Sequence, residues 1–548
     1  MTELPAAATP DDAREAAASA ADGGPAPDWR RAIDHARLVA EGRTVVRFGR
    51  KQIALFATLK GVFACDNRCP HEGYPLREGA LDATCVLTCN WHNWKFDLAS
   101  GANLYGGDRL RVYPVRLDQD AVFVDLAEPP FATRRAAVLA ALREAFDDHA
   151  YDRIAREIAR LAAIGADPAE AVVAAIQWSH ERFEFGWTHA FAGAADWLAL
   201  HDRIAADDTE RLASLIEAVG HIADDALRQP LYAYDAEPAA FDEDAYLAAV
   251  EAEDGPRALA LMAGAVADGL PFAAVEPALA RAALAHYADF GHALIYLDKA
   301  GALIARLGEA VAGPLLMSLT RTLVFARRED LIPEFRHYAS ALAAWGGAGA
   351  APRAETLRGR SIRDALFVTA ANGGAAPEAI YRALLAAAAA NMLAFDLRFQ
   401  ERTDGPLADN AGWLDMTHGL TFAAAVRATC TRHPELWPAG LLQMACFAGR
   451  NAPYTDPGLD PARWCVADPI GFLDAAIAGL FDHGRDEYIV SVHVLKTLLA
   501  ARAEAAHAEP ETAGTIAAAL NRFVHTPLKR KHVRRTAHQA LAFVALDG

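Results

Sequence analysis

The chain has 548 residues and a formal net charge of −18. This length exceeds what one hydrophobic core supports, so two or more domains are expected. Because 53% of the residues are hydrophobic, most of the chain can form packed cores, and its acidic balance argues against nucleic acid or an anionic membrane as a partner.

The N-terminal residues 1–28 are alanine-rich and acidic and show no hydrophobic periodicity, so we predict a disordered tail. They also lack the basic and apolar regions of a signal peptide. The longest apolar run, residues 383–395, is shorter than the ~20 residues that span a bilayer. The chain has seven cysteines, and an odd number does not resemble a secreted disulfide framework. We therefore expect a soluble, cytoplasmic protein with no membrane partner.

A β domain is predicted for residues 29–128. Short β-branched and aromatic runs, such as TVVRF, QIALFATL and GVFAC, alternate there with glycine and charged residues. The Pro-Pro pair at 129–130 supports neither a helix nor a central strand and marks a boundary.

Residues 132–548 are predicted to form a large all-helical domain. Alanine and leucine recur at i, i+3, i+4 and i+7 over most of this segment, with almost no alternating stretches. The expected fold class is thus multidomain: an all-β domain followed by an all-α domain.

Two short motifs in the β domain carry metal-ligand chemistry. Cys69-x-His71 and Cys89-x-x-His92 are separated by seventeen residues. Zinc fingers place their cysteines and histidines in separate pairs, whereas each half here offers one thiolate and one imidazole. This suits an asymmetric [2Fe–2S] cluster with two cysteines on one iron and two histidines on the other.

The segments CPHEGYPL and CNWHNWKFDLASG resemble the two cluster loops of the Rieske family, in its ferredoxin and ring-hydroxylating-oxygenase branch. The resemblance covers about residues 36–127 and implies a [2Fe–2S] cluster fed by an external electron donor, a reductase or a ferredoxin. One departure is Asn90-Trp91, because proline usually follows the second cysteine. High-potential respiratory members place hydroxyl donors where Trp94 and Phe96 stand, so a lower reduction potential is expected here.

The iron site of ring-hydroxylating oxygenases is not predicted in the rest of the chain. Its family motif ends in D-x2-H followed by a second histidine four or five residues on. Asp289-x2-His292 and Asp415-x2-His418 supply only the first part. The helical pattern also differs from the α/β fold of that oxygenase domain.

Four histidines instead share one kind of context. His189, His292, His418 and His493 each lie in an apolar segment and are followed by a helical run. We predict that four helices point one imidazole each into a bundle interior, where non-haem iron sites are commonly built. The alternative to a metal ligand, for each of the four, is a hydrogen-bonded core histidine.

Lysine is scarce, with Lys299 and Lys496 the only two between residues 96 and 528. His493 and Lys496 are spaced i, i+3 and share a helix face. A buried lysine has a lowered pKa, and its neutral amine can add carbon dioxide to become a carbamate ligand. The alternative is an ordinary ion-paired lysine. Asp289 and Asp415, three residues before a histidine, are expected to orient those rings or to ligate directly.

These His-containing helices, and HVLK at 493–496 in particular, loosely resemble the questin-oxidase-like family over about residues 150–525. The resemblance implies a helical enzyme acting on aromatic polyketides, with one iron held by four histidines and a carboxylated lysine. Fusion to a Rieske domain departs from that family and favours a reductively activated reaction.

The preferred hypothesis is a Rieske-containing non-haem iron oxygenase, in which the cluster feeds a histidine-ligated Fe(II) that uses dioxygen on a small organic substrate. The alternative is a redox-sensing or electron-transfer protein whose helical domain is a scaffold without a second metal. About three irons per chain are expected for the first and two for the second.

Overall fold

The computed structural model describes residues 26–205, 207–406, 410–528 and 533–546. The predicted disordered tail, residues 1–28, lies almost entirely outside the described residues. The described chain divides into two compact units. The first comprises residues 26–145 and 150–167, and the second comprises residues 146–149 and those from 168 onward.

The first unit is built on antiparallel strands in three sheets of order β1-β11-β10, β2-β3-β4-β9 and β5-β6-β7-β8. The strands are β1 Trp29–Asp34, β2 Arg43–Phe48, β3 Lys51–Thr58, β4 Gly61–Asp66, β5 Ala80–Leu81, β6 Val86–Thr88, β7 Lys95–Asp97, β8 Asn103–Tyr105, β9 Val112–Tyr113, β10 Val115–Asp118 and β11 Ala121–Asp125.

Strand β3 separates two apolar cores. Successive side chains of a strand point to opposite faces. Ile53 and Leu55 accordingly enter one core, whereas Ala54 and Phe56 enter the other. The second core also holds Cys69 and Cys89, so the β domain buries the thiols of both cluster loops. Burial on both faces explains the continuous apolar run of this strand.

Helices make up most of the remainder. Helix α1 (His35–Glu41) lies within the β domain. The later helices are α2 Phe131–Asp147, α3 Tyr151–Ala163, α4 Glu170–Ser179, α5 His189–His201, α6 Asp208–Ala226, α7 Glu243–Glu251, α8 Gly255–Ala267, α9 Phe272–Ala285, α10 His292–Leu307, α11 Glu309–Val324, α12 Tyr338–Ala343, α13 Ala354–Leu357, α14 Ile362–Ala371, α15 Pro377–Leu393, α16 Leu397–Glu401, α17 Trp413–Arg432, α18 Trp437–Asn451, α19 Pro469–Ala478, α20 Tyr488–Ala505, α21 Pro510–His525 and α22 Val533–Val544.

The predicted fold class, an all-β domain followed by an all-α domain, is confirmed. The change from strand to helix falls between β11 and α2, close to the predicted boundary. The first compact unit nevertheless continues through α3, because three arginines of that helix bind the buried carboxylate of Asp108. Arg153 and Arg156 lie 3.0 Å from it and Arg160 lies 3.3 Å from it.

Four helices of the second unit form a closed ring. Helix α5 packs on α10, α10 on α17, α17 on α20, and α20 back on α5. Each of the four carries one of the histidines singled out in the sequence. Within the described residues, every helix is too short or too polar to cross a membrane.

Candidate metal centres

The two cluster loops of the β domain have the same backbone design. The amide of Cys69 and that of Cys89 each donate to the carbonyl five residues further on, at 2.9 and 2.7 Å. The amides of Gly73 and Asn93 donate back to those cysteines at 2.9 and 3.0 Å. Gly73 and Asn93 have positive φ angles, 82° and 62°, which glycine and asparagine tolerate best. Each loop is thereby folded tightly around one cysteine.

The four predicted cluster residues come together at the ends of these loops. Cys69 and Cys89 are buried, with 3% and 1% of their surface exposed. His71 and His92 lie at the surface, with Nδ1 atoms 3.1 Å apart. A thiol pair inside and an imidazole pair outside fit a [2Fe–2S] cluster with two cysteines on one iron and two histidines on the other.

Replacing His71 or His92 with cysteine is expected to change the electron paramagnetic resonance spectrum of the reduced protein. A thiolate in place of a neutral imidazole adds negative charge to the iron that is reduced, which also lowers its potential. A wild-type spectrum from either variant would show that the imidazole assignment is wrong.

Aromatic rings pack against these ligands. Trp94 stacks on His71 with ring centroids 4.5 Å apart, and Trp91 stacks on His92 at 4.9 Å. Phe96 is fully buried in the core that holds both cysteines.

We expect a reduction potential nearer the lower end of the Rieske range, about −150 mV, than its upper end, about +300 mV, because Phe96 offers no hydroxyl to the cluster. Phe96→Tyr is expected to raise the potential by on the order of tens of millivolts, as measured by protein-film voltammetry. A wild-type potential near the upper end would refute this expectation.

The second candidate centre lies where the four-helix ring closes. His189 and His292 are the first residues of α5 and α10, whereas His418 and His493 are the sixth residues of α17 and α20. Each ring contacts the rings of the two neighbouring helices, with centroids 4.7–5.2 Å apart. The structure thus brings together all four histidines that the sequence singled out.

The ring nitrogens converge more closely than the centroids do. Ligand nitrogens of His189, His418 and His493 lie within 4.8 Å of one another. His292 adjoins this group through its Nε2, which lies 2.9 Å from Nε2 of His418.

In three of the rings, Nδ1 is held by an oxygen acceptor. His418 and His493 use the carbonyl oxygens of Leu414 and Ile489, one helical turn back, at 2.5 and 2.6 Å. His292 uses the carboxylate of Asp289 at 3.1 Å. Since these oxygens only accept, Nδ1 carries the proton and Nε2 is left with its lone pair. Metal-ligating histidines are typically oriented in this way.

The resulting arrangement fits a cation. The Nε2 lone pairs of His292 and His418 face each other across 2.9 Å, which is unfavourable without a positive charge between or beside them. Nε2 of His189 is buried and has no hydrogen-bond partner among the described residues. A buried ring nitrogen without a partner is costly unless an ion or a hydrogen-bonding group binds it.

Burial also keeps these imidazoles neutral. It lowers the pKa of His189, His418 and His493 well below the usual value, and the neighbouring Lys496 lowers each pKa further. The pKa of His292 is lowered by burial as well, against the opposing effect of Asp289. Neutral imidazole is the form that binds a metal.

Lys496 points into the same group, with Nζ 3.1 Å from Nε2 of His418. Burial lowers the pKa of Lys496 to about 7, and the carboxylate of Asp196 opposes this only in part. Lys299 differs, because its Nζ binds Asp196 at 2.7 Å. Burial lowers the pKa of Lys299, but the carboxylates of Asp196 and Asp298 outweigh it, so the net shift is upward. The two lysines thus have opposite environments.

The two predicted aspartates lie in different places. Asp289 begins a left-handed turn with Phe290 and Gly291, at φ values of 39°, 58° and 73°, and this turn delivers Asp289 to His292. The Asp415 carboxylate instead accepts a hydrogen bond from the backbone amide of Gly412 at 2.8 Å, and so caps its own helix.

Asp415 nevertheless connects to the site through side chains. Its other oxygen lies 3.1 Å from the guanidinium of Arg450. That guanidinium stacks over the ring of Phe290 at 4.2 Å, and this ring lies 5.1 Å from that of His418. The structure thus places Asp289 in direct contact with a site histidine and Asp415 behind Arg450 and Phe290.

Two aromatic neighbours of the centre were not predicted from the sequence. Tyr296 stacks on His292 at 5.3 Å, and its hydroxyl lies 3.5 Å from Nδ1 of His189. Its i, i+4 spacing from His292 would have indicated a shared helix face. Phe290 had no comparable local indication.

Comparisons with known proteins bear on the first unit. Residues 28–111 match the family model of the Rieske [2Fe–2S] domain. Over 99 residues the chain is 32% identical to the 4beta-methylsterol monooxygenase of Methylococcus capsulatus, covering 16% of this chain and 27% of that protein. Over 78 residues it is 33% identical to the 3-phenylpropionate/cinnamic acid dioxygenase ferredoxin subunit of Shigella boydii, covering 14% of this chain and 74% of that subunit.

Among solved structures, the Sphingomonas yanoikuyae B1 ferredoxin is similar at 26% identity and a TM-score of 0.16, covering 18% of this chain and 98% of the ferredoxin. The chain spans only 27% of the sterol monooxygenase. The match therefore concerns an electron-transfer domain and not a whole oxygenase. Through residues 28–111, the chain belongs to the Rieske [2Fe–2S] domain family.

Proposed function

We propose that the chain is a Rieske-containing non-haem iron oxygenase. The [2Fe–2S] cluster would supply electrons to an iron held by His189, His292, His418 and His493, for the dioxygen-dependent oxidation of a small organic substrate. The resemblance of the helical segments to the questin-oxidase-like family favours an aromatic one.

The convergence of histidine nitrogens in a buried site is the observation that carries this proposal. Helix backbone carbonyls and Asp289 fix three of the rings with Nε2 facing inward, and His189 presents a buried nitrogen that has no hydrogen-bond partner within the described part of the chain. The large majority of buried side-chain nitrogens in proteins have a hydrogen-bond partner. Imidazole is the common nitrogen ligand of non-haem iron.

The electron balance explains why such a site would be fused to a Rieske domain. Inserting one oxygen atom of dioxygen into a C–H bond and releasing the other as water consumes two electrons and two protons. A [2Fe–2S] cluster passes one electron at a time, so an external reductase or ferredoxin would deliver two in succession. The relatives include a dioxygenase ferredoxin subunit and a monooxygenase, which supports a redox partner of this kind.

The remaining predicted residues receive distinct roles in the proposal. Lys496 lies next to Nε2 of His418 and is suited, as a carbamate, to supply an oxygen ligand. Asp289 holds His292 in its ligating orientation. Asp415 acts as a positioning residue, because it fixes the guanidinium that packs on Phe290.

Iron and acid-labile sulfide contents test the proposal. We expect about three irons and two sulfides per chain, since two irons belong to the cluster. Dialysis against a chelator is expected to remove the third iron and leave the Rieske spectrum intact. Two irons per chain, after reconstitution with excess Fe(II), would contradict the oxygenase and favour the redox-sensing or electron-transfer alternative.

A further inference from the structure

A cavity of about 460 Å³ adjoins the second candidate centre. His189 belongs to both, since it forms part of the cavity wall and of the histidine group. The cavity lies between the start of α5, the end of α6 and the start of α20. Its volume is in the range of sites that bind small organic molecules. A ligand in this cavity would lie against the histidine centre.

Negative charge dominates the wall of this cavity. Four carboxylates line it, from Asp224, Asp225, Asp486 and Glu487, and the described lining residues include no lysine or arginine. Asp225 accepts hydrogen bonds from the side chain of Thr188 and the backbone of Ala190, but burial outweighs them and raises its pKa. An anionic ligand would be repelled from such a wall, whereas a cation would be attracted.

The histidines of the wall do not offset this charge. His221 is 3% exposed, and burial lowers its pKa to about 4, so its ring is neutral near pH 7. It stacks on Tyr488 with centroids 5.1 Å apart and an interplanar angle of 8°. Carboxylates attract organic ammonium groups, and the stacked rings of His221 and Tyr488 add no positive charge to this wall.

We propose that this cavity binds the substrate and that the substrate carries an organic ammonium group. The inference rests on the proposed function for the reaction itself, but the cation preference stands on the cavity alone. Asp224 and Glu487 would contact the ammonium group, and the reacting carbon would lie toward His189. Asp225 shapes the inner wall through its bonds to the start of α5.

Calorimetric titration of the full chain, loaded with cluster and iron, tests the proposal. The probes are choline and its uncharged carbon isostere 3,3-dimethyl-1-butanol, which have similar size and shape. We expect choline to bind at least about tenfold more tightly, because paired carboxylates at a partly buried cation act together. The double variant Asp224→Asn/Glu487→Gln is expected to remove this preference and leave binding of the alcohol unchanged.

Glu509→Gln is the matched control. Glu509 and Glu487 each precede a helix without capping it through the side chain, but Glu509 lies before α21, away from the cavity. We expect this variant to keep the wild-type preference for choline.

Three results would overturn the proposal. They are equal binding of the two probes, binding of neither at millimolar concentration, and displacement of choline by Mn²⁺ with the carboxylates as its ligands. Iron content of the same samples separates this inference from the function. A choline preference with two irons would leave a cation site in a non-oxygenase, whereas three irons without that preference would leave an oxygenase for another substrate.

Discussion

The His493→Ala protein is expected to hold about two irons per chain instead of three and to keep an unchanged Rieske spectrum. His493 lies in the ring of four imidazoles, with centroids 4.7 Å from His189 and 5.2 Å from His418. Its removal deletes one ligand, and metal affinity depends on ligand number. The cluster residues lie in the other compact unit, so their spectrum has no reason to change.

A second buried histidine on the ring of helices provides the control. His201 ends α5, is 3% exposed and pairs with Asp202 at 3.0 Å, whereas His189 begins the same helix. His201→Ala removes a buried imidazole of the same unit and is expected to keep three irons. Circular dichroism should show both variants folded, because a lost buried hydrogen bond costs only about 1–3 kcal/mol. Iron loss from both variants, or from neither, would contradict the assignment.

Local patterns were sufficient to predict the fold class and the cluster loops. Strand and helix leave different periods in the sequence, and the change of period between Leu126 and Phe131 marks where the structure changes. The cluster loops needed only short-range spacing, because each loop closes within five residues of its cysteine.

The second centre could be predicted from local patterns only in part. Four similar histidine contexts could be found along the chain, but their convergence depends on contacts between helices up to about 300 residues apart in sequence. No local pattern encodes such contacts. No spacing along the chain indicates that Arg450 and Phe290 link Asp415 to His418.

The environments of Lys299 and Lys496 also depend on contacts that local sequence patterns do not encode. In the sequence both follow a histidine on a helix, and for Lys496 the spacing did not decide between an ion pair and a carbamate. The difference arises from Asp196, more than a hundred residues before Lys299, which binds that lysine. Among the described residues, Lys496 makes its hydrogen bond to His418 and forms no ion pair.

Lys496→Met is expected to weaken binding of the second iron by about 10–100-fold, the range seen when a group that supports a metal site is lost. Methionine keeps the length and burial of the side chain but cannot supply an oxygen ligand. In the wild-type protein, the amine of Lys496 would add carbon dioxide and release one proton, giving a carbamate next to Nε2 of His418.

Incubation with ¹³C-bicarbonate followed by carbon NMR measures this directly. We expect a carbamate resonance in the iron-free or diamagnetic Zn²⁺-loaded wild-type protein and none in Lys496→Met.

The same conservative change at both lysines separates a ligand from a structural cation. Lys299→Arg keeps a positive charge beside Asp196 and is expected to retain the carbamate resonance and the third iron. Lys496→Arg keeps the charge but cannot form the carbamate, so it is expected to lose both.

Lys496 would be an ordinary buried amine if the wild-type protein showed no carbamate and Lys496→Met bound the third iron normally. Equal losses in the two arginine variants would instead indicate that any change at a buried lysine disturbs the helical ring.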